Sequence, residues 1–143
     1  MDETPCADEA RRAFDFWIGS WEVRGPAGRL AGHNRITSLF DGCGLKEEWE
    51  GVSGHRGTSL NVYSASTGRW HQTWIDAEGE LLLLDGGLVD GVMVLEGATG
   101  ETRHRISWSL IDGDADRLRQ HWETSEGGGE WKTAFDGRYS RIR

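Results

Sequence analysis

The sequence predicts an all-β fold: an antiparallel up-and-down barrel of about ten strands, with a short helix at one mouth. Three observations carry this. The chain holds 21 glycines and only 2 prolines. Turn pairs punctuate it at hairpin intervals, at Asp41-Gly42, Thr67-Gly68, Glu78-Gly79, Asp90-Gly91, Asp112-Gly113 and Gly127-Gly128. Between them lie runs that alternate with period two. Short turns favour sequential antiparallel pairing, and a sheet of that many strands closes on itself and so loses its exposed edges.

Residues 1–19 read as the helix. Thr4 is a suitable N-cap, Pro5 suits a first turn, and Asp8 and Glu9 complement the positive end of the dipole. Ala10, Ala13, Phe14 and Trp17 then form one apolar stripe, and Gly19 is the stop. Residues 20–143 supply the barrel, with strands expected at 20–24, 29–40, 44–50, 57–63, 69–76, 79–84, 88–95, 102–111, 116–124 and 130–141. A chain of 143 residues makes one such domain.

Composition narrows the function. Leu, Ile, Val and Phe total only 28 residues, but 8 tryptophans replace them as a source of buried area, so the core is aromatic. A net charge of -8 disfavours nucleic acid and anionic membrane as partners, since both are polyanions. The first ten residues are acidic and lack a signal-peptide pattern, and no apolar run approaches a membrane span. The expectation is a cytoplasmic protein, monomer or homodimer. Cys6 and Cys43 have neither metal nor redox spacing and are expected to be reduced rather than bonded.

The alternation also sorts residues by face. Inward positions are Trp21 and Val23; Asn34 and Ile36; Leu45, Glu47 and Trp49; Trp70, Gln72, Trp74 and Asp76; His104, Ile106, Trp108 and Leu110; Leu118, Gln120, Trp122 and Thr124; and Trp131, Thr133 and Phe135. This interior is aromatic but not dry. Its polar groups either satisfy one another, indole N–H groups or trapped water, or they orient a molecule held in an aromatic-lined cavity. The second is the expectation, with Trp21, Asn34, Trp49, Trp70, Gln72, Trp74, Trp108, Gln120 and Trp122 as ligand-binding residues for a small hydrophobic or aromatic molecule. A cofactor-free cyclase, isomerase or lyase in the same pocket is the alternative. Glu47 or Asp76 would then be acid/base and His104 their helper, because burial among indoles raises a carboxyl pKa towards working pH. A one-residue slip in register would instead place Glu47 on the surface. A third reading is a filled core whose outer surface meets a protein partner. The five histidines show no metal-ligand spacing. No cofactor is expected, with haem on an axial His104 the one alternative weighed. No nucleophile elbow or phosphate loop is present.

Four segments carry a resemblance: Phe14-Asp15-Phe16-Trp17-Ile18-Gly19-Ser20-Trp21, Glu48-Trp49-Glu50-Gly51, Trp70-His71-Gln72-Thr73-Trp74-Ile75-Asp76 and Ser125-Glu126-Gly127-Gly128-Gly129-Glu130-Trp131. From about Phe14 to Tyr139 the chain resembles a bacterial family catalogued as domain of unknown function 1579, of lipocalin-like (calycin-type) fold. Glu126 and Glu130 depart from the family pattern in the last segment, so no role is carried to that loop. The resemblance implies the barrel. It implies little about activity, because lipocalin-like barrels variously bind small apolar molecules, bind haem or catalyse.

Overall fold

A computed structural model describes residues 5–143. Ten antiparallel strands follow in order: β1 (Gly19–Arg24), β2 (Leu30–Leu39), β3 (Gly44–Gly51), β4 (Arg56–Ser64), β5 (Arg69–Asp76), β6 (Leu81–Val89), β7 (Val92–Thr99), β8 (Thr102–Ile111), β9 (Asp114–Glu126) and β10 (Lys132–Arg141). Each pairs with the next, and β1 also pairs with β10, so the barrel is closed. The all-β class, the topology and the short N-terminal helix are those expected. One hairpin is displaced. The segment 88–95 expected as a strand straddles a turn, because Asp90 and Gly91 both have positive φ (50° and 81°) and Val89 pairs directly with Val92. That two-residue Asp-Gly loop matches the twist of the flanking strands. β6 therefore runs on through Gly86, where any side chain would collide with the Val94 carbonyl.

The N-terminal segment is shorter in helix than its stripe suggests. Its α-helix, α1, spans only Glu9–Arg12, and a 3-10 turn covers Asp15–Trp17. Thr4, the expected cap, lies outside the described residues; Asp8 occupies the N-cap position. Cys6 explains the late start. It has φ 62° and is bonded to Cys43 at 2.08 Å, so the chain is turned and tied before a helix can begin. The expectation of reduced thiols is thereby corrected. Such bonds persist in oxidising compartments, which removes one support for the cytoplasmic expectation.

This segment plugs one barrel end. Phe14 stacks on Trp17 at 4.8 Å and meets Trp70 and Trp108 edge-on at 5.6 and 5.2 Å. The Trp70 indole N–H donates to the Ala10 carbonyl at 3.1 Å, and that of Trp21 to the Trp17 carbonyl at 2.9 Å. The Arg12 guanidinium donates to the Gly42 carbonyl in the β2–β3 turn, beside the disulfide. The bridge closes a loop of 37 residues. Replacing both cysteines by alanine should cost about 3–4 kcal/mol from loop entropy and lower Tm by roughly 10 °C. A shift below about 2 °C in thermal unfolding under oxidising conditions would show that the plug holds without it.

Facing residues across a ladder share a side of the sheet, and one strand consequently runs inside out. Glu47 is the partner of Ser59, and Leu45 of Asn61, so β4 turns Ser59 and Asn61 inward. Ser59 is only 1% exposed, while its neighbour Leu60 is 53% exposed. At the other end of the chain a bulge between Thr133 and Phe135 breaks the expected alternation of β10. Phe135 is partly buried against the core, but Thr133 meets His121 on the outer face, and Trp131 lies under the Arg103 and Arg105 guanidinium groups at 4.9 and 4.1 Å. Trp131 and Thr133 are thus not inward residues.

Candidate functional site: a cavity at the unplugged end

With one end filled by Phe14, Trp17, Trp70 and Trp108, the free space lies towards the other. A cavity of about 200 Å³ is walled by Trp49, Trp74, Trp122 and Phe135, with Leu82, Ile106 and Ala134. Its polar lining is Glu47, His55, Gln72, Gln120 and Tyr139. The aromatic walls come from the ends of β3, β5, β9 and β10 away from the plug. Trp49 and Phe135 stand edge to face at 5.9 Å. The interior is not merely a filled core.

Glu47 is the focus of the polar lining. It is 4% exposed, and two donors address its carboxylate: Asn34 Nδ2 at 2.8 Å and Ser59 Oγ at 2.7 Å. Behind Ser59 the donors run in one direction. Gln72 Nε2 donates to Asn61 Oδ1 at 2.7 Å, and Asn61 Nδ2 donates to Ser59 Oγ at 2.9 Å. Asn34 Nδ2 also donates to Tyr139 Oη at 2.8 Å, whose hydroxyl donates to Gln120 Oε1. An ionised carboxylate is acceptor-only, and a chain of donors ending on it suits that form. Burial opposes the charge. It pushes the Glu47 carboxyl above its ordinary range, and the Asn34 and Ser59 bonds only partly offset it. Burial likewise carries the Tyr139 phenol well above its usual value, reinforced by the Glu47 charge, so Tyr139 is a neutral donor.

The expected site residues divide into two groups. Trp49, Trp74, Trp122, Gln72, Gln120 and Glu47 meet at the cavity, and Asn34 supports it through Glu47. Trp21, Trp70 and Trp108 do not; they belong to the core and the plug. His104 and Asp76 also lie outside the lining. The Trp122 indole N–H can only donate, so His104 Nδ1 accepts at 3.1 Å and the ring carries its proton on Nε2, 3.2 Å from Thr99 Oγ1. Burial lowers the His104 pKa, which keeps this ring neutral. Both nitrogens being engaged away from the cavity, His104 does not fit a haem axial ligand, and a 200 Å³ cavity does not fit the macrocycle.

Asp76 is a turn residue. Its Oδ1 accepts the backbone N–H groups of Glu78 at 2.9 Å and Glu80 at 3.1 Å, and its Oδ2 faces His55 Nε2 at 3.1 Å. Burial would raise its pKa, but His55 and the two amides outweigh that and hold the carboxyl below its ordinary value. His55, Asp76 and Glu78 bring ligand atoms within 4.8 Å of one another. With Asp76 committed to the turn and to His55, that group reads as a turn lock rather than a metal site. A larger concavity of about 770 Å³ spreads across β1 to β5 among His33, Arg35, Glu48, Glu50 and Arg56, and four expected site residues, Trp21, Asn34, Trp49 and Asp76, also border it. It is open and charged, and with Trp21 fully buried and Trp49 shared with the smaller cavity it is not enclosed by aromatic rings as a small-molecule site is.

Four polar residues that matter here escape the alternation analysis. Ser59 and Asn61 sit on a strand whose apolar residues face out, and Tyr139 lies beyond the last inward pair assigned. His55 is in a loop, where period-two logic says nothing. A search against known proteins finds no family model that matches the chain and no curated protein similar to it. No helix among the described residues is long and apolar enough to cross a membrane.

Proposed function

We propose that the protein binds a small, largely aromatic or hydrophobic molecule in this cavity, as a member of the lipocalin-like family its motifs resemble. The observation carrying the reading is three indoles and a phenyl ring around about 200 Å³ of space, with a few fixed polar groups among them. The volume sets a scale: an engineered apolar cavity of about 150 Å³ is enough for benzene, so a single ring with a short arm suits this one. The ligand would stack between Trp74 and Trp122, with Gln72 and Gln120 as orienting groups. Tyr139 already engages the Gln120 oxygen, which leaves its amide nitrogen to donate.

A second reading has one observation behind it. Glu47 is a desolvated carboxyl of raised pKa on the cavity wall, which is how acid/base catalysts are tuned. An isomerase, cyclase or lyase would use it without Asp76 or His104. Titration of the protein with 2-phenylethanol, followed by tryptophan fluorescence and beside native mass spectrometry of the fresh preparation, tests the binding reading. A saturable 1:1 complex is expected. Trp74→Ala should weaken it about tenfold, or some 1.4 kcal/mol, while Trp108→Phe leaves it unchanged. No saturable binding, together with a clean apo mass, would overturn it. Once a physiological ligand is known, Glu47→Gln separates the two readings, since an enzyme loses turnover while affinity is largely kept.

A further inference from the structure

We infer that the cavity selects an organic cation: an aromatic or alkyl molecule whose protonated amine meets the Glu47 carboxylate. This rests on the cavity-binding reading and names the ligand's chemistry. Three features of the site converge on it. First, Glu47 is a buried acid with no positive partner among the described residues. Its charge is opposed by burial and relieved by the neutral donors Asn34 and Ser59, and among the described residues no charged neighbour enters the balance. A buried carboxylate without a counter-charge is costly, and a cationic ligand would supply what the protein withholds. Second, the polarity of the surrounding bonds is fixed. Asn61, Ser59 and Asn34 spend their donors towards Glu47. The carboxylate accepts two bonds of roughly four that its oxygens can take, so it has capacity for an incoming N–H. An anionic ligand would be repelled, and a neutral one would leave the charge as it stands.

Third, the rest of the wall suits a cation. Trp49, Trp74, Trp122 and Phe135 present ring faces and edges around the same space. Aromatic faces attract ammonium groups, more strongly when water is excluded. Together, an aromatic box and one carboxylate at its wall are the parts from which amine sites are built. The barrel has placed them at its unplugged end, where a ligand enters without displacing the N-terminal segment.

The test uses two probes of the same shape and opposite character, 2-phenylethylammonium and 2-phenylethanol, titrated at pH 7.5 by calorimetry. The wild type should bind the ammonium at least tenfold more tightly. Glu47→Gln should bring the two within twofold while 2-phenylethanol binds as before, and Glu48→Gln, on the outer face of the same strand, should change nothing. Equal affinities in the wild type, or a preference that survives Glu47→Gln, would overturn this inference and leave the cavity reading standing. If neither probe binds, both fall. Should Glu47→Gln not fold, NMR contacts in the wild-type complex decide: the ammonium-bearing methylene must lie against the Glu47 γ-protons. Ring contacts to Trp122 without that methylene contact would equally overturn it.

Discussion

Trp108→Ala is expected to lower the free energy of unfolding by about 3–5 kcal/mol, a large share of what a domain of this size possesses. The side chain is fully buried and touches both plug residues, Phe14 at 5.2 Å and Trp17 at 5.4 Å. Truncation opens a void where strand and plug meet, and neither disulfide nor sheet can collapse to fill it. Trp108→Phe should cost far less, about 1–2 kcal/mol, because the indole N–H of Trp108 has no partner among the described residues and its removal relieves an unpaired donor. Trp74 lines the cavity and is only partly buried, so Trp74→Ala should cost less than Trp108→Ala. Urea denaturation of the three variants checks the ordering. If Trp74→Ala proved as damaging as Trp108→Ala, the division into plug and cavity tryptophans would be wrong.

That division shows where sequence reasoning runs out. Alternation within β3, β5 and β8 identified Glu47, Gln72 and His104 as inward residues, and all three are buried. Alternation reports a face but not a height along the barrel axis. Trp70 and Trp74 share a face of β5, yet one meets the plug and the other the cavity. The height at which the cavity lies depends on how far the N-terminal segment enters, and this is fixed by Phe14, Trp17 and the Cys6–Cys43 bond acting at long range. β4 was opaque for a different reason. Hydrophobic patterning would turn Leu60 and Val62 inward, but pairing with β3 and β5 sets the register, and the Glu47 network needs Ser59 and Asn61 inside. The chain trades apolar burial on one strand for satisfied polar groups around one carboxylate, and only the assembled ladder reveals the exchange.

Asn34→Ala should be the most damaging change at the site, and its cost should depend on pH. Asn34 gives Glu47 one of its two hydrogen bonds and holds Tyr139 with the other hydrogen of the same amide. Bonds to a charged group contribute about 1.5–3 kcal/mol, so with the Tyr139 contact the loss at pH 7.5 should be about 2–4 kcal/mol. The sign follows from linkage. Glu47 has a raised pKa in the folded state, so between its unfolded and folded pKa values the native protein binds more protons than the unfolded chain. Stability is therefore greatest on the acid side of this titration and falls as pH rises through the folded pKa. Removing Asn34 moves that pKa further up, because one of the two opposing bonds is gone. The deficit of Asn34→Ala should then grow from acid to neutral pH. In a Glu47→Gln background it should be smaller and flat with pH, giving a coupling of at least about 1 kcal/mol in the double-mutant cycle. Denaturation midpoints between pH 5 and 8 measure it. An equal, pH-independent deficit in both backgrounds would mean that Glu47 carries its proton throughout. A neutral Glu47 would hold no charge for an ammonium ligand to meet, so the same curve bears on cation selectivity before any ligand is added.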